Sequence, residues 1–137
     1  MYQIYFLSIL VNLLAGLTLS FDRMDEKLQL RSVLNSELFE HAGFRLTMGI
    51  FTFVVGFLKL LSVSPGDVPV VGDLLPALVG MVMGFTLFLQ YYKERTTVES
   101  SSLASLDRIF GANSAIIGTL GIIVAVLHFF LHQVLFL

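Results

Sequence analysis

The chain has 137 residues, 56% hydrophobic and only 13% charged, with a formal net charge of −2. Soluble domains carry about 25% charged residues, so this chain cannot cover a water-exposed surface, and an ordinary soluble enzyme is excluded. No basic field exists to hold nucleic acid, and the lack of cysteine removes disulfides, thiolate catalysis and every cysteine metal motif.

A bilayer core about 30 Å thick needs roughly 20 apolar residues as a helix, and the chain offers four such segments. Residues 1–21 carry no charge. No Lys or Arg precedes the run, as a signal peptide would require, and Leu17 stands where a lipoprotein signal needs cysteine; a retained span is predicted. Residues 22–41 form a loop with Arg23, Lys27 and Arg31 beside Asp22, Asp25 and Glu26. Within it, the spacing of Leu30, Val33, Leu34 and Leu38 predicts a short amphipathic helix.

Residues 42–63 form the second predicted span and contain Arg45 and Lys59. Their Cα atoms would lie about 21 Å apart in a helix, and both side chains can snorkel toward the surfaces. The next turn, Ser64-Pro65-Gly66-Asp67-Val68-Pro69, has no Lys or Arg. Asp73 reads as the N-cap of a third span over residues 74–92, with Pro76 in its first turn. The loop over residues 93–110 holds Lys93, Arg95 and Arg108. In it Leu103, Leu106, Ile109 and Phe110 predict a second amphipathic helix, starting near Ser101 or Ser102. Asn113 is a candidate cap for a fourth span over residues 112–137.

The positive-inside rule places loops 22–41 and 93–110 in the cytoplasm, with both termini and the Pro/Gly turn outside. Tyr91 and Tyr92 fall where an aromatic belt would lie. The expected location is the plasma (cytoplasmic) membrane.

A shift of 68 residues sets Leu10-Val11 on Leu78-Val79, Gly16 on Gly84, and Thr18-Leu19 on Thr86-Leu87. A shift of 69 then sets Ser32, Leu34 and Ser36 on Ser101, Leu103 and Ser105, and Gly49 on Gly118. Two tandem two-span repeats, residues 1–68 and 69–137, are predicted. Both enter the membrane the same way, as parallel repeats about an axis along its normal. The expected fold class is an all-α integral membrane protein with four transmembrane helices.

The second and fourth spans carry matching stripes. Arg45, Gly49, Thr52, Gly56 and Lys59 recur at intervals of four and three, as do Ser114, Gly118, Gly121, Ala125, His128 and His132. Such spacing puts each series on one helix face. Small residues let backbones approach in a membrane, so the stripes predict that spans two and four pack together near the pseudo-axis. Shorter stripes occupy span one (Ser8, Asn12, Ala15, Gly16) and span three (Gly80 and Gly84). The glycines Gly49, Gly56, Gly80, Gly84, Gly118 and Gly121 are read as packing residues. Arg45, Thr52, Lys59, Ser114, His128 and His132 form a candidate polar seam. Arg45 and Lys59 read most simply as snorkelling cations, and Asn12 as an interhelical hydrogen bond.

His128 and His132 have a metal-ligating spacing. Their possible helpers are Asp67 and Asp73, while His41 is expected at the opposite surface. No metal site or cofactor is expected. No HExxH, GxSxG or phosphate-binding glycine loop occurs. No Asp or Glu lies within a span, which disfavours a midplane proton relay. The leading expectation is a non-catalytic structural or assembly subunit of a membrane complex. Its partners would be the lipid bilayer and either further copies or other membrane subunits. The alternative is an oligomeric channel or transporter subunit favouring anions or anionic headgroups, because the seam has basic tips and no buried acid.

Overall fold

The computed structural model describes residues 2–29, 32–33, 36–61, 74–97 and 100–131. These are almost entirely helical, and no strand occurs among them. The elements are α1 (Tyr2–Leu28), α2 (Ser36–Glu40), α3 (Ala42–Leu61), α4 (Leu74–Arg95), α5 (Ser101–Leu106), a π-helical turn (Asp107–Gly111) and α6 (Ser114–Phe130). Three of them (α1, α3 and α4) are long and apolar enough to cross a membrane. A fourth span is available if the helical stretch Ser101–Gly111 and α6, which meet at 46°, count as one broken element.

Local sequence explains the helix ends. No Gly or Pro interrupts Leu17 to Ala42, so α1 continues through the charged residues beyond Phe21 until Gln29, whose φ of 52° turns the chain out of the helix. His41 caps α3: its Nδ1 accepts from the Gly43 N–H at 3.1 Å. Ser100 caps α5, its hydroxyl accepting from the Leu103 N–H at 3.1 Å, one residue before the predicted start. Asn113 precedes α6, but its amide donates to the Ile109 carbonyl at 2.8 Å instead of capping. Asp67, Asp73 and the Pro65-Gly66 turn lie outside the described residues, as do Leu30, Leu34 and residues 132–137.

In the first loop the described residues form one helical turn, α2, and Val33 and Leu38 are exposed. The anchor is Phe39, which is buried, stacked on Phe21 at 5.1 Å and edge-on to Phe44 at 5.6 Å. In the second loop Ile109 is exposed, while Phe110 meets Phe85 edge-on at 5.1 Å. Lys93 Nζ bonds Asp107 Oδ2 at 2.7 Å, tying this loop to α4.

The long helices form a rhombus. α3 lies along α4 and α6 along α1; α1 and α4 also touch across the short diagonal, and the remaining sides are α1 with α3 and α4 with α6. The stripes on spans two and four therefore do not face each other. Gly49 and Gly56 of α3 face the small residues Gly84 and Ala77 on α4, and Gly118 of α6 faces Gly16 on α1. A methyl group on Gly84 would lie 2.6 Å from the Gly49 carbonyl oxygen. Methyl groups on Gly16 and Gly118 would each lie 2.6 Å from the other's carbonyl oxygen. At both crossings the backbones meet where no Cβ fits, which is what glycine permits.

Gly56, Gly80 and Gly121 also face inward. Gly56 packs on Ala77 and Met81, Gly80 lies under Asn12, and Gly121 meets Met83. Val11, Ala15, Leu19, Met48, Val55, Met83 and Leu87 complete the core. The outer surface of the same helices is apolar, with Phe6, Ile50, Phe57, Leu78, Phe88, Leu120 and Ile123 exposed.

Candidate functional site

The polar residues of the interior come from helix stripes, and the structure divides the predicted seam into separate places. At one end, Arg45 emerges from the first turn of α3. Its Nε donates to the Phe39 carbonyl at 3.1 Å, and a terminal nitrogen lies 3.6 Å from Glu94 Oε1. Arg45 thereby joins α2, α3 and α4. Ser114 is half-buried where α6 begins.

Thr52 sits at mid-helix and is fully buried, and its hydroxyl oxygen has no hydrogen-bond partner among the described residues. Other serines and threonines on the long helices behave differently. Thr18, Ser20, Thr86 and Thr119 each donate to the carbonyl four residues earlier, at 2.7–2.8 Å. That is how a hydroxyl is accommodated on an apolar helix. Asn12 spans two helices: Nδ2 donates to the Pro76 carbonyl at 3.0 Å. That carbonyl lies in the first turn of α4.

The opposite end holds the cluster of interest. Lys59 and His128 are each only 1% exposed, and both approach the ring of Tyr5. Lys59 Nζ lies 5.4 Å from the ring centroid, within cation–π range. The His128 ring lies 4.8 Å from it, tilted by 59°. The Tyr5 hydroxyl donates to the His128 carbonyl at 2.8 Å and to the Phe129 carbonyl at 3.1 Å. Those carbonyls belong to the last turn of α6, where helix geometry leaves oxygens without intrahelical donors. One phenol thus serves the end of α6 with its oxygen and Lys59 with its π-face.

The structure brings Lys59 and His128 of the seam together, leaves Arg45 and Ser114 apart from them, and places Thr52 between the two ends. His132 lies outside the described residues. Among those residues no three His, Cys, Asp or Glu side chains converge as metal ligands would. Sequence reasoning missed Tyr5 as the hub. The signal was available: the stripe of Ser8 and Asn12 extends one turn back, three residues, to Tyr5.

Among the described residues the fold is helical without strands, with three to four helices apolar enough to cross a membrane. A protein-family model matches residues 1–128, and the chain belongs to that family. No curated protein and no solved structure matches the chain.

Proposed function

We propose that the chain is a four-span integral membrane protein built from two related hairpins, residues 1–68 and 69–137, acting without catalysis as a structural or assembly subunit of a membrane complex. The observation that carries this reading is the apolar exterior of a bundle whose helices meet through small residues. Backbones touch at Gly16/Gly118 and Gly49/Gly84, small and polar residues share the interior with Val11, Leu19, Met83 and Leu87, and large apolar side chains also cover the outside. Water would reject such a surface; lipid accepts it, and small residues are what hold helices together there.

Several features support the repeat. The shift of 68–69 residues exchanges Gly16 with Gly84 and Gly118 with Gly49, so one crossing becomes the other. Thr18 and Thr86 correspond and make the same backward hydrogen bond. Lys59 and His128 correspond and are both buried. The non-catalytic reading draws support from how interior polar groups are engaged. Tyr5 and Asn12 donate to backbone carbonyls of neighbouring helices, and Ser20 and Thr86 to carbonyls of their own helix. By the loop charges, both termini lie outside the plasma membrane and loops 22–41 and 93–110 in the cytoplasm.

One observation favours the second reading, an anion-handling channel or transporter subunit: two basic side chains meet inside the bundle at Tyr5. The experiment is to extract the protein in mild detergent from its own membrane, weigh the particle, and test reconstituted liposomes for chloride flux. The structural reading expects a discrete assembly heavier than the 15.2 kDa chain and tight liposomes. Chloride flux abolished by Lys59→Ala would overturn it in favour of the second.

A further inference from the structure

We propose that a groove between α1 and α6 binds an anionic phospholipid, its phosphate at Arg23 and Lys27 and an acyl chain against Ile116 and Leu120. This rests on the membrane-spanning reading above. The groove is open to the surface and has a volume of about 430 Å³. Arg23 and Lys27 stand four residues apart on the part of α1 that continues beyond the apolar segment, and both are exposed. Ile116 and Leu120 repeat that spacing on α6, also exposed, and Met24 and Leu28 close the apolar side. The helices run antiparallel, with Leu19 and Ser20 beside Gly118, so Arg23 reaches the level at which α6 begins. Lys27 stands one further turn out.

Cations at the polar boundary above an apolar slot match a lipid with a phosphate at one end and a chain at the other. Free phosphate would leave the slot unfilled. Asp25 and Glu26 are on the same stretch of α1 but do not line the groove. The groove also opens at the first turn of α6, whose positive dipole end has no side-chain cap, because Asn113 bonds to Ile109 instead. The corresponding end of α4 provides a contrast. There Tyr91 and Arg95 replace Arg23 and Lys27 under the 68-residue shift, and the Arg95 guanidinium lies 5.4 Å over the Tyr91 ring. That cation covers its own neighbour.

The test is native mass spectrometry of the detergent-purified chain with added phosphatidylglycerol or phosphatidylcholine of identical acyl chains. Phosphatidylglycerol should bind preferentially, and its affinity should fall about fivefold for each cation removed in Arg23→Gln and Lys27→Gln. The charge-preserving double variant R23K/K27R should retain binding, Arg95→Gln should leave it unchanged, and millimolar inorganic phosphate should not displace the lipid. Equal binding of the two lipids, no loss in R23Q/K27Q with circular dichroism intact, or displacement by inorganic phosphate would each overturn the proposal. Carbonate washing of membranes separates the two failures. Release of the chain would refute the spanning reading itself, whereas a retained chain that binds both lipids equally refutes the lipid site alone.

Discussion

Placing one methyl group at the helix crossings gives the sharpest test of the packing. Ala in place of Gly gains about 0.5–1 kcal/mol of helix stability in the absence of contacts. At Gly84 the added carbon would meet the Gly49 carbonyl oxygen and the Phe53 nitrogen, both at 2.6 Å, and Phe53 Cβ at 2.8 Å. At Gly118 it would meet the Gly16 carbonyl oxygen at 2.6 Å, Leu19 Cβ at 2.8 Å and the Ser20 nitrogen at 2.9 Å. The nearest atoms are backbone, which no rotamer change can move. The helices must separate by about 0.8 Å to restore ordinary contact, and a gap of about 0.5–1 Å forfeits a quarter to a half of each dispersion contact nearby. Over-packing of this kind costs about 1–3 kcal/mol, so the net loss should be about 1–2 kcal/mol in each variant. Gly43→Ala meets only the His41 side chain, at 3.1–3.2 Å, and should be neutral or stabilising. The assay is unfolding in dodecyl maltoside titrated with SDS, followed by circular dichroism. Gly84→Ala or Gly118→Ala matching or exceeding the wild type would refute the backbone contact.

Other substitutions test the polar contacts. Tyr5→Phe keeps the ring under Lys59 but loses the hydroxyl on the end of α6, and should cost about 1 kcal/mol in the same titration. Asn12→Ala breaks the link to Pro76, and interhelical hydrogen bonds in membranes are worth about 0.6 kcal/mol on average, up to about 1.7; a shift in that range is expected. Arg45→Gln should cost more than Glu94→Gln, because Arg45 also serves the Phe39 carbonyl, whereas the Glu94 contact is half-exposed and long at 3.6 Å. The latter variant should stay within about 1 kcal/mol of wild type.

The sequence makes the long helices legible because each is a continuous apolar run; the predicted start at residue 42 agrees with α3, and the predicted span 74–92 is helical throughout within α4. The inward glycines were legible too, since small residues at intervals of three and four have no other use on an apolar helix. Partner choice was not. Gly49 and Gly118 have similar surroundings in sequence, and only three-dimensional complementarity sends one to Gly84 and the other to Gly16. The extension of α1 past Phe21 was hidden by its charges, which mark a boundary of polarity but do not stop a helix. The Tyr5 cluster escaped because an aromatic near a chain end reads as interfacial, while its hydroxyl target is a backbone carbonyl with no sequence signature.

The central claim is that the chain crosses a bilayer with its two long loops on one side and the α3–α4 turn on the other. Because the chain contains no cysteine, an introduced thiol is an unambiguous reporter. Single variants Ser32→Cys, Gly66→Cys and Ser102→Cys would be treated with a membrane-impermeant maleimide on intact cells and after permeabilisation. Gly66→Cys should label on intact cells, and the other two only once the membrane is opened. Labelling of Gly66→Cys on the same side as either of the others would contradict the four-span account.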